Sequence, residues 1–239
     1  MSNLQEKFWK YLEWYEYFFT KKPNWFENLF NLYQEWIVKI NTSAIKDEDE
    51  IIIKHFLDSL LWNEAMNFEW KNVLDVWSWW GFPALPLAIT NPWAKFTSLD
   101  SVWKKLKVIE DIAKNLWLKN LSTLNWRAED LWKNKKYREK FDTVITRAFA
   151  PWTVMLELTS CFVKEWWYTI AYQTESIFED IRRNEEVLDD LNLIIIDTFE
   201  FELPKKMWDR IIVLMQKTWK TPKSIPRKVW TPRKEPLWK

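Results

Sequence analysis

The stretch VLDVWSWWGFP, residues 73–83, decides the fold. A strand over Asn72–Val76 runs straight into a turn that carries Trp77, Trp79 and Trp80 beside Gly81. A tight turn from strand to helix calls for residues that tolerate positive φ or a close backbone approach, which is glycine's role. Tryptophan is the side chain least suited to it. The whole chain repeats this contradiction: its 239 residues hold 21 tryptophans and one glycine, where roughly 7% glycine is usual.

Most of these tryptophans punctuate the chain instead of following helix or strand periodicity. Trp36 does follow it, extending the helical face of Phe26, Leu29, Phe30 and Tyr33. Trp93, by contrast, follows the turn dipeptide Asn91-Pro92, and Trp117 closes an amphipathic helix where a glycine cap is usual. Trp166 and Trp167 separate a helix from a strand, and Trp230 lies in a proline-containing tail. The excess of one residue matches the deficit of the other. The expectation is therefore that UGA codons meant as glycine are written here as tryptophan. A tryptophan-rich stacking surface is the alternative, and it leaves the missing glycine unexplained. UGG codons at Trp77, Trp79, Trp80 and Trp126 would exclude the recoding.

Outward from the turn, strands and helices alternate. Strands are expected at Asn72–Val76, Lys95–Leu99, Leu121–Asn125, Phe141–Thr146 and Tyr168–Tyr172, with a clear amphipathic helix from Lys104 to Leu118. That alternation predicts a parallel sheet covered on both faces. Leu193–Phe199 and Arg210–Met215 read as a closing antiparallel pair. Before the sheet come three helices. The first has Leu4, Phe8, Tyr11, Leu12, Tyr15 and Phe19 on one face and is broken by Lys22-Pro23-Asn24. The second runs to Ile40 with Asn24 as its N-cap, and the third starts at the acidic run Asp47–Glu50. This divides the chain into a helical cap (1–66), an α/β domain (67–216) and a basic tail (217–239).

The tail holds eight Lys or Arg against Glu235 alone, together with four of the ten prolines, while the first 216 residues are net acidic. Such a tail builds no core of its own and can meet phosphates, which favours a nucleic-acid partner. With 48% hydrophobic and 29% charged residues the chain reads as an ordinary globular protein. No apolar run approaches membrane-spanning length, and the first residues lack a secretory layout. Cys161, the single cysteine, excludes an internal disulfide and a cysteine-based metal cluster, and its apolar neighbours make it buried filler. A cytoplasmic protein without metal is expected.

Read with glycine, residues 73–83 become V-L-D-V-G-S-G-G-G-F-P, a loop at the carboxyl end of a strand, where open α/β sheets bind ligands. Asp100 ends the next strand and suits ribose hydroxyls. A dinucleotide site uses G-x-G-x-x-G and a helix N-terminus for its pyrophosphate. Here the small residues are packed closer and Phe82-Pro83 follows at once. That spacing favours S-adenosylmethionine, which carries no phosphate. Arg147 ends the fourth strand and so points toward the same edge, able to meet a cofactor carboxylate or an RNA phosphate. His55, in KHFLDSL, is expected to fix the cap through Asp58 or Ser59 and not to do acid–base chemistry.

Several stretches spread nearly end to end now bear comparison: WIVKIN, KHFLDSLL, VLDVWSWWGFPALPLAI, FTSLDSVWKKLK, LNWRAEDL, FDTVITRAFAP and TPKSIPRKVWTP. In these the chain resembles the bacterial 16S ribosomal RNA guanine-N7 methyltransferase family, also called glucose-inhibited division protein B. Tryptophan stands at most family glycines. The resemblance implies a Rossmann-like class I methyltransferase, α/β, with a mostly parallel seven-stranded sheet, helices on both faces and an N-terminal helical cap. It implies S-adenosyl-L-methionine as cofactor, bound by Trp77 (the first loop glycine), Phe82, Asp100, Ala128, Glu129 and Arg147. It also implies a monomer acting on 16S rRNA or the small ribosomal subunit. Methyl transfer to guanine N7 needs no general base, so no catalytic residue is assigned. The family often has A-L-K-G after the fifth strand, and this chain has Ala171-Tyr172-Gln173-Thr174, which weakens the RNA assignment if that lysine holds RNA. A noncatalytic RNA-binding protein on the same scaffold, or a small-molecule methyltransferase, are the rival readings. The first predicts RNA binding without cofactor affinity; the second predicts activity that survives loss of residues 217–239.

Overall fold

A computed structural model describes residues 3–12, 23–40, 45, 47–147, 150–207, 209–228 and 230–236. Tyr15, Phe19 and Lys22, all invoked above, lie outside the described residues, as do Ala148 and Phe149 of the stretch FDTVITRAFAP.

The cap comprises α1 (Asn3–Leu12), α2 (Pro23–Ile40), α3 (Glu48–Ile51), a π-helical segment (Ile52–Leu57), α4 (Asp58–Leu60) and α5 (Trp62–Ala65). Helix α2 begins at Pro23, so Asn24 sits in its first turn and does not cap it; proline suits the first helical position because its missing N–H would have no partner there. Asp47 does cap α3, accepting the Glu50 N–H at 3.0 Å. The helix then widens, with the Asp58 N–H bonded to the carbonyl of Ile53 five residues back. Phe8, Phe26, Phe30 and Phe56 pack edge to face or tilted, with centroids 5.2–6.2 Å apart.

The sheet holds β1 (Asn72–Val76), β2 (Lys95–Asp100), β3 (Leu121–Asn125), β4 (Phe141–Arg147), β5 (Val163–Gln173), β6 (Leu193–Glu202) and β7 (Asp209–Lys217). Their order is β3-β2-β1-β4-β5-β7-β6. Strands β1 to β5 are parallel, and β7 lies antiparallel between β5 and β6. Helices α6 (Ala84–Thr90), α7 (Trp103–Asn115), α8 (Ala128–Leu131), α9 (Trp152–Thr159), α10 (Ile177–Arg183) and α11 (Glu185–Asp190) join the strands, and α12 (Thr231–Lys234) ends the described chain. The expected strands are all present. The fifth is longer than expected because it starts before a bulge at Lys164–Trp167, where Phe141 faces Val163 but Thr143 already faces Tyr168.

One apolar cluster runs through cap and sheet together, from Phe8 and Phe56 to Ile145, Ile170 and Ile212. The division drawn at residue 66 therefore crosses a shared core. The division at 217 also falls inside a structured region, since Lys217 is the last residue of β7 and is fully buried. The tail is not a free basic arm. Arg138 donates to the carbonyls of Thr221, Pro222 and Ile225 at 2.9–3.1 Å. Arg227 binds buried Glu157 through its backbone N–H, Nε and Nη2. The tail lacked a core in sequence because it borrows the one beneath α9.

Candidate functional site

The residues after β1 turn sharply: the Trp77 and Ser78 N–H groups both donate to Leu99 O, at 2.9 and 3.2 Å, and the Gly81 N–H donates to Ser78 O at 2.7 Å. Trp77 has φ 72°, Trp79 φ 50° and Gly81 φ 97°. A Cβ on Gly81 would lie 2.4 Å from Leu85 Cδ1, so a side chain there would displace Leu85 as well as strain the backbone. The pattern extends beyond the loop. Of the nine residues other than glycine with positive φ among those described, six are tryptophan: Trp70, Trp77, Trp79, Trp117, Trp166 and Trp230. At Trp117 (φ 54°) the Leu118 N–H reaches Ala113 O and the Trp117 N–H reaches Lys114 O, the paired bonds of a Schellman cap, whose left-handed residue is ordinarily glycine. Trp80, Trp93, Trp126 and Trp167 have no positive φ, and Trp70 was not singled out from sequence.

At the carboxyl ends of β1 to β3 lies a small pocket lined by Trp77, Asp100, Ala128 and Glu129, with Leu99, Ser101, Trp126 and Arg127. Four of the six expected site residues thus converge. Asp100 is buried; its carboxylate accepts the Val102 N–H at 2.8 Å and meets Lys105 Nζ at 3.4 Å. Glu129 is also buried, and its Oε2 has no hydrogen-bond partner, a costly state unless a ligand donor completes it. The void holds about 10 Å³, room for about one water and not for a nucleoside. The Trp77 indole forms one wall of it, with Arg233 of α12 stacked at 4.8 Å. Arg127 likewise stacks at 4.4 Å on Trp230, so the tail closes onto this pocket, which its sequence did not reveal.

The other two expected residues do not line it. Phe82 is buried, stacked on His55 at 5.1 Å and edge-on to Tyr33 at 5.0 Å; its ring belongs to the junction of cap and loop. Arg147 turns into the cap, where it pairs with Asp58 and donates to Lys54 O at 2.8 Å. Asp58 also takes Arg210 Nε at 3.1 Å. Both guanidiniums stand 5.6 Å from the ring of Tyr172, which stacks on Trp62. Tyr172 thereby occupies the place where the family's motif departs. Burial pushes the Asp58 carboxyl up, and the two arginines pull it back. Arg147 Nη1 has no acceptor.

His55 keeps to packing, but not as expected. The Ser59 hydroxyl donates to the His55 backbone carbonyl at 2.5 Å, while the Asp58 carboxylate serves the arginines. Burial, then the charge of Arg147, lowers the imidazole to about 3, so the ring is neutral. Asp75, overlooked in the sequence because it reads as strand filler, is fully enclosed and bonded by Ser78 Oγ at 2.5 Å. Burial raises it to about 7, which places a titrating carboxyl directly under the loop. Cys161 is buried, as expected, and burial pushes its thiol up to about 12. Among the described residues no group of three His, Cys, Asp or Glu converges as metal ligands would, and no helix is long and apolar enough to cross a membrane.

A parallel sheet finished by an antiparallel hairpin, with two buried carboxylates facing a ligand loop at its carboxyl edge, defines a Rossmann-like methyltransferase of class I. Solved structures bear out the fold: a 16S rRNA (adenine(1408)-N(1))-methyltransferase from Catenulisporales acidiphilia aligns with TM-score 0.52 at 13% identity, over 69% of this chain and 93% of that one. A branched-chain polyamine synthase from Thermus thermophilus aligns with TM-score 0.56 at 15% identity, over 69% and 55%. Sequence goes further. The family model for rRNA small subunit methyltransferase G matches residues 23–203. Ribosomal RNA small subunit methyltransferase G of Leuconostoc citreum is 34% identical over 89% of this chain and 90% of its own. Its counterpart from Exiguobacterium is 37% identical over the same shares. The chain belongs to the rRNA small subunit methyltransferase G family.

Proposed function

We propose that this protein transfers the methyl group of S-adenosyl-L-methionine to N7 of a guanine in 16S rRNA, and that its working form carries glycine at the left-handed tryptophans. The observation that carries the reading is the buried Glu129, its Oε2 without a partner, beside Asp100 in a pocket walled by Trp77. The carboxylates suit an adenosine; the volume does not, until the indole at residue 77 is replaced by a hydrogen. Ala128 offers a small wall beside them. The cofactor supplies an electrophilic methyl on a sulfonium, and guanine N7 supplies the lone pair, so the chain's task is to position the two and exclude water. Asp58 fixes Arg147 and Arg210 at the ends of β4 and β7, where the buried Arg147 Nη1 has no acceptor. The protein acts as a cytoplasmic monomer on the small ribosomal subunit.

The test replaces Trp70, Trp77, Trp79, Trp117, Trp166 and Trp230 by glycine in the full-length chain. Isothermal titration with S-adenosylmethionine and methylation of small-subunit particles are then measured, the product mapped by cleavage at 7-methylguanosine. Binding and a single mapped guanine are expected. Cofactor affinity no better than that of the tryptophan-bearing chain refutes the recoding, and methylation of another atom refutes the N7 assignment.

A further inference from the structure

The amino ends of the parallel strands carry a second feature, at the edge opposite the cofactor pocket. Lys95 opens β2, Lys119 stands two residues before β3, Lys140 stands just before β4, and Lys136 comes from the turn between α8 and β4. These four lysines, with Asn72 and Tyr137, line an open cleft of about 380 Å³ whose lining contains no acid. All four are exposed, and none forms an ion pair with a described residue. The adjacent carboxylate, Asp142, is already engaged by Lys164 at 2.6 Å and by the Asn72 N–H at 2.8 Å. Glu139 is likewise held by buried Lys217. The surrounding acids are therefore spent, and the cleft keeps its positive charge.

We infer that this lysine-lined cleft at the amino edge of the sheet is a second contact for the phosphodiester backbone of the RNA substrate, separate from the methylation site. The spacing supports an extended anion over a single phosphate. Neighbouring strands lie about 4.8 Å apart, so the starts of β3, β2, β1 and β4 spread the charge over roughly 14 Å. Among the described residues that line the cleft there is no arginine to narrow it to one small oxyanion. Phosphate contacts position a nucleic acid without reading its sequence, which suits an edge about 17 Å, one five-residue strand, from the chemistry. A small-molecule methyltransferase would have no use for it. The inference rests on the rRNA reading above and says where else on the protein that RNA is held.

The experiment compares the full-length protein with glycine at the six left-handed tryptophans, the form proposed to bind the cofactor, with a variant of it bearing Lys95→Gln, Lys119→Gln, Lys136→Gln and Lys140→Gln, and with the corresponding four Lys→Arg changes. Binding to 16S rRNA is followed by filter retention from low to moderate salt, with thermal melting and S-adenosylmethionine affinity as controls. The Gln variant should bind RNA about tenfold or more weakly at low salt, with a log K against log salt slope reduced by about 2–4, at about 0.7–0.9 per lost phosphate contact. The Arg variant should keep the slope, and cofactor affinity and melting should be unchanged in both. An unaltered slope and affinity in a folded Gln variant overturns the inference and leaves the rRNA reading standing. Failure of the parent protein to bind 16S rRNA at all overturns both.

Discussion

Replacing Trp117 by glycine should stabilise the protein. Trp117 holds φ 54° at the end of α7 and is 82% exposed. At a left-handed position glycine outperforms a residue with a Cβ by about 1 kcal/mol, net of its own greater freedom in the unfolded chain. An indole so exposed returns only a few tenths of a kcal/mol in contacts, at about 25 cal/mol per Å². Trp166, with φ 67° and 61% exposure, sits in the bulge of β5. Strands β2, β1 and β4 lie between β3 and β5, so the two changes should add. Together they should be worth about 1–2 kcal/mol, or roughly 2–8 °C in Tm for a domain of this size. Trp70 stacks on Trp93 at 5.1 Å and Trp230 lies under Arg127, and each such contact is worth about 0.5–1.5 kcal/mol. Glycine there should be near neutral. Trp103, the first residue of α7, is also exposed but has no positive φ, so Trp103→Gly should cost about 0.5 kcal/mol. Urea unfolding of the single variants and the double variant measures all of this. If Trp117→Gly and Trp166→Gly lose as much as Trp103→Gly, left-handed strain is not what distinguishes these tryptophans.

Asp58→Ala should be severely destabilising, by about 3–5 kcal/mol, because it strands Arg147 and the buried Arg210 without their shared carboxylate; chemical denaturation showing a loss under 1 kcal/mol would contradict that role. Glu157→Ala should free Arg227 and the chain after it, seen as faster proteolysis beyond residue 225 with the sheet intact; unchanged cleavage would mean that Glu157 does not hold this segment. Two groups should tilt stability with pH in opposite senses. His55 refuses until about 3 the proton that the unfolded chain takes near 6.5, so its contribution is lost as pH falls from 6.5 to 3. Asp75 keeps until about 7 the proton that the unfolded chain releases near 3.8, so its contribution is lost as pH rises from 3.8 to 7. His55→Phe should leave stability falling across pH 4–7, and Asp75→Asn should leave it rising across pH 3–6.5. Identical pH profiles for the two variants would refute the assignment.

Residues 73–83 show how far a sequence reaches. Positive φ is a demand made and met by one residue, so it leaves a mark at one position: Trp77, Trp79, Trp117, Trp166 and Trp230 were all legible as glycine sites before any coordinates. The parallel sheet and its antiparallel closing pair followed from the alternation of strand and helix, and four of the six residues that the family resemblance implied line one pocket at the strand ends. Trp80, Trp93, Trp126 and Trp167 show the limit, since a turn can be placed from sequence more surely than its φ. The remaining features needed the tertiary structure. Arg147 was expected at the pocket from its place at the end of β4, but its partner Asp58 belongs to the cap, and Arg210, 152 residues beyond Asp58, completes that cluster away from the pocket. Asp75 titrates near neutrality only because the folded loop encloses it. The tail's basic charge was plain, yet its docking on Glu157 and Arg138 was not. Local conformational needs are written in local residues; charge partners, burial and the lysine cleft depend on which distant segments the fold brings side by side.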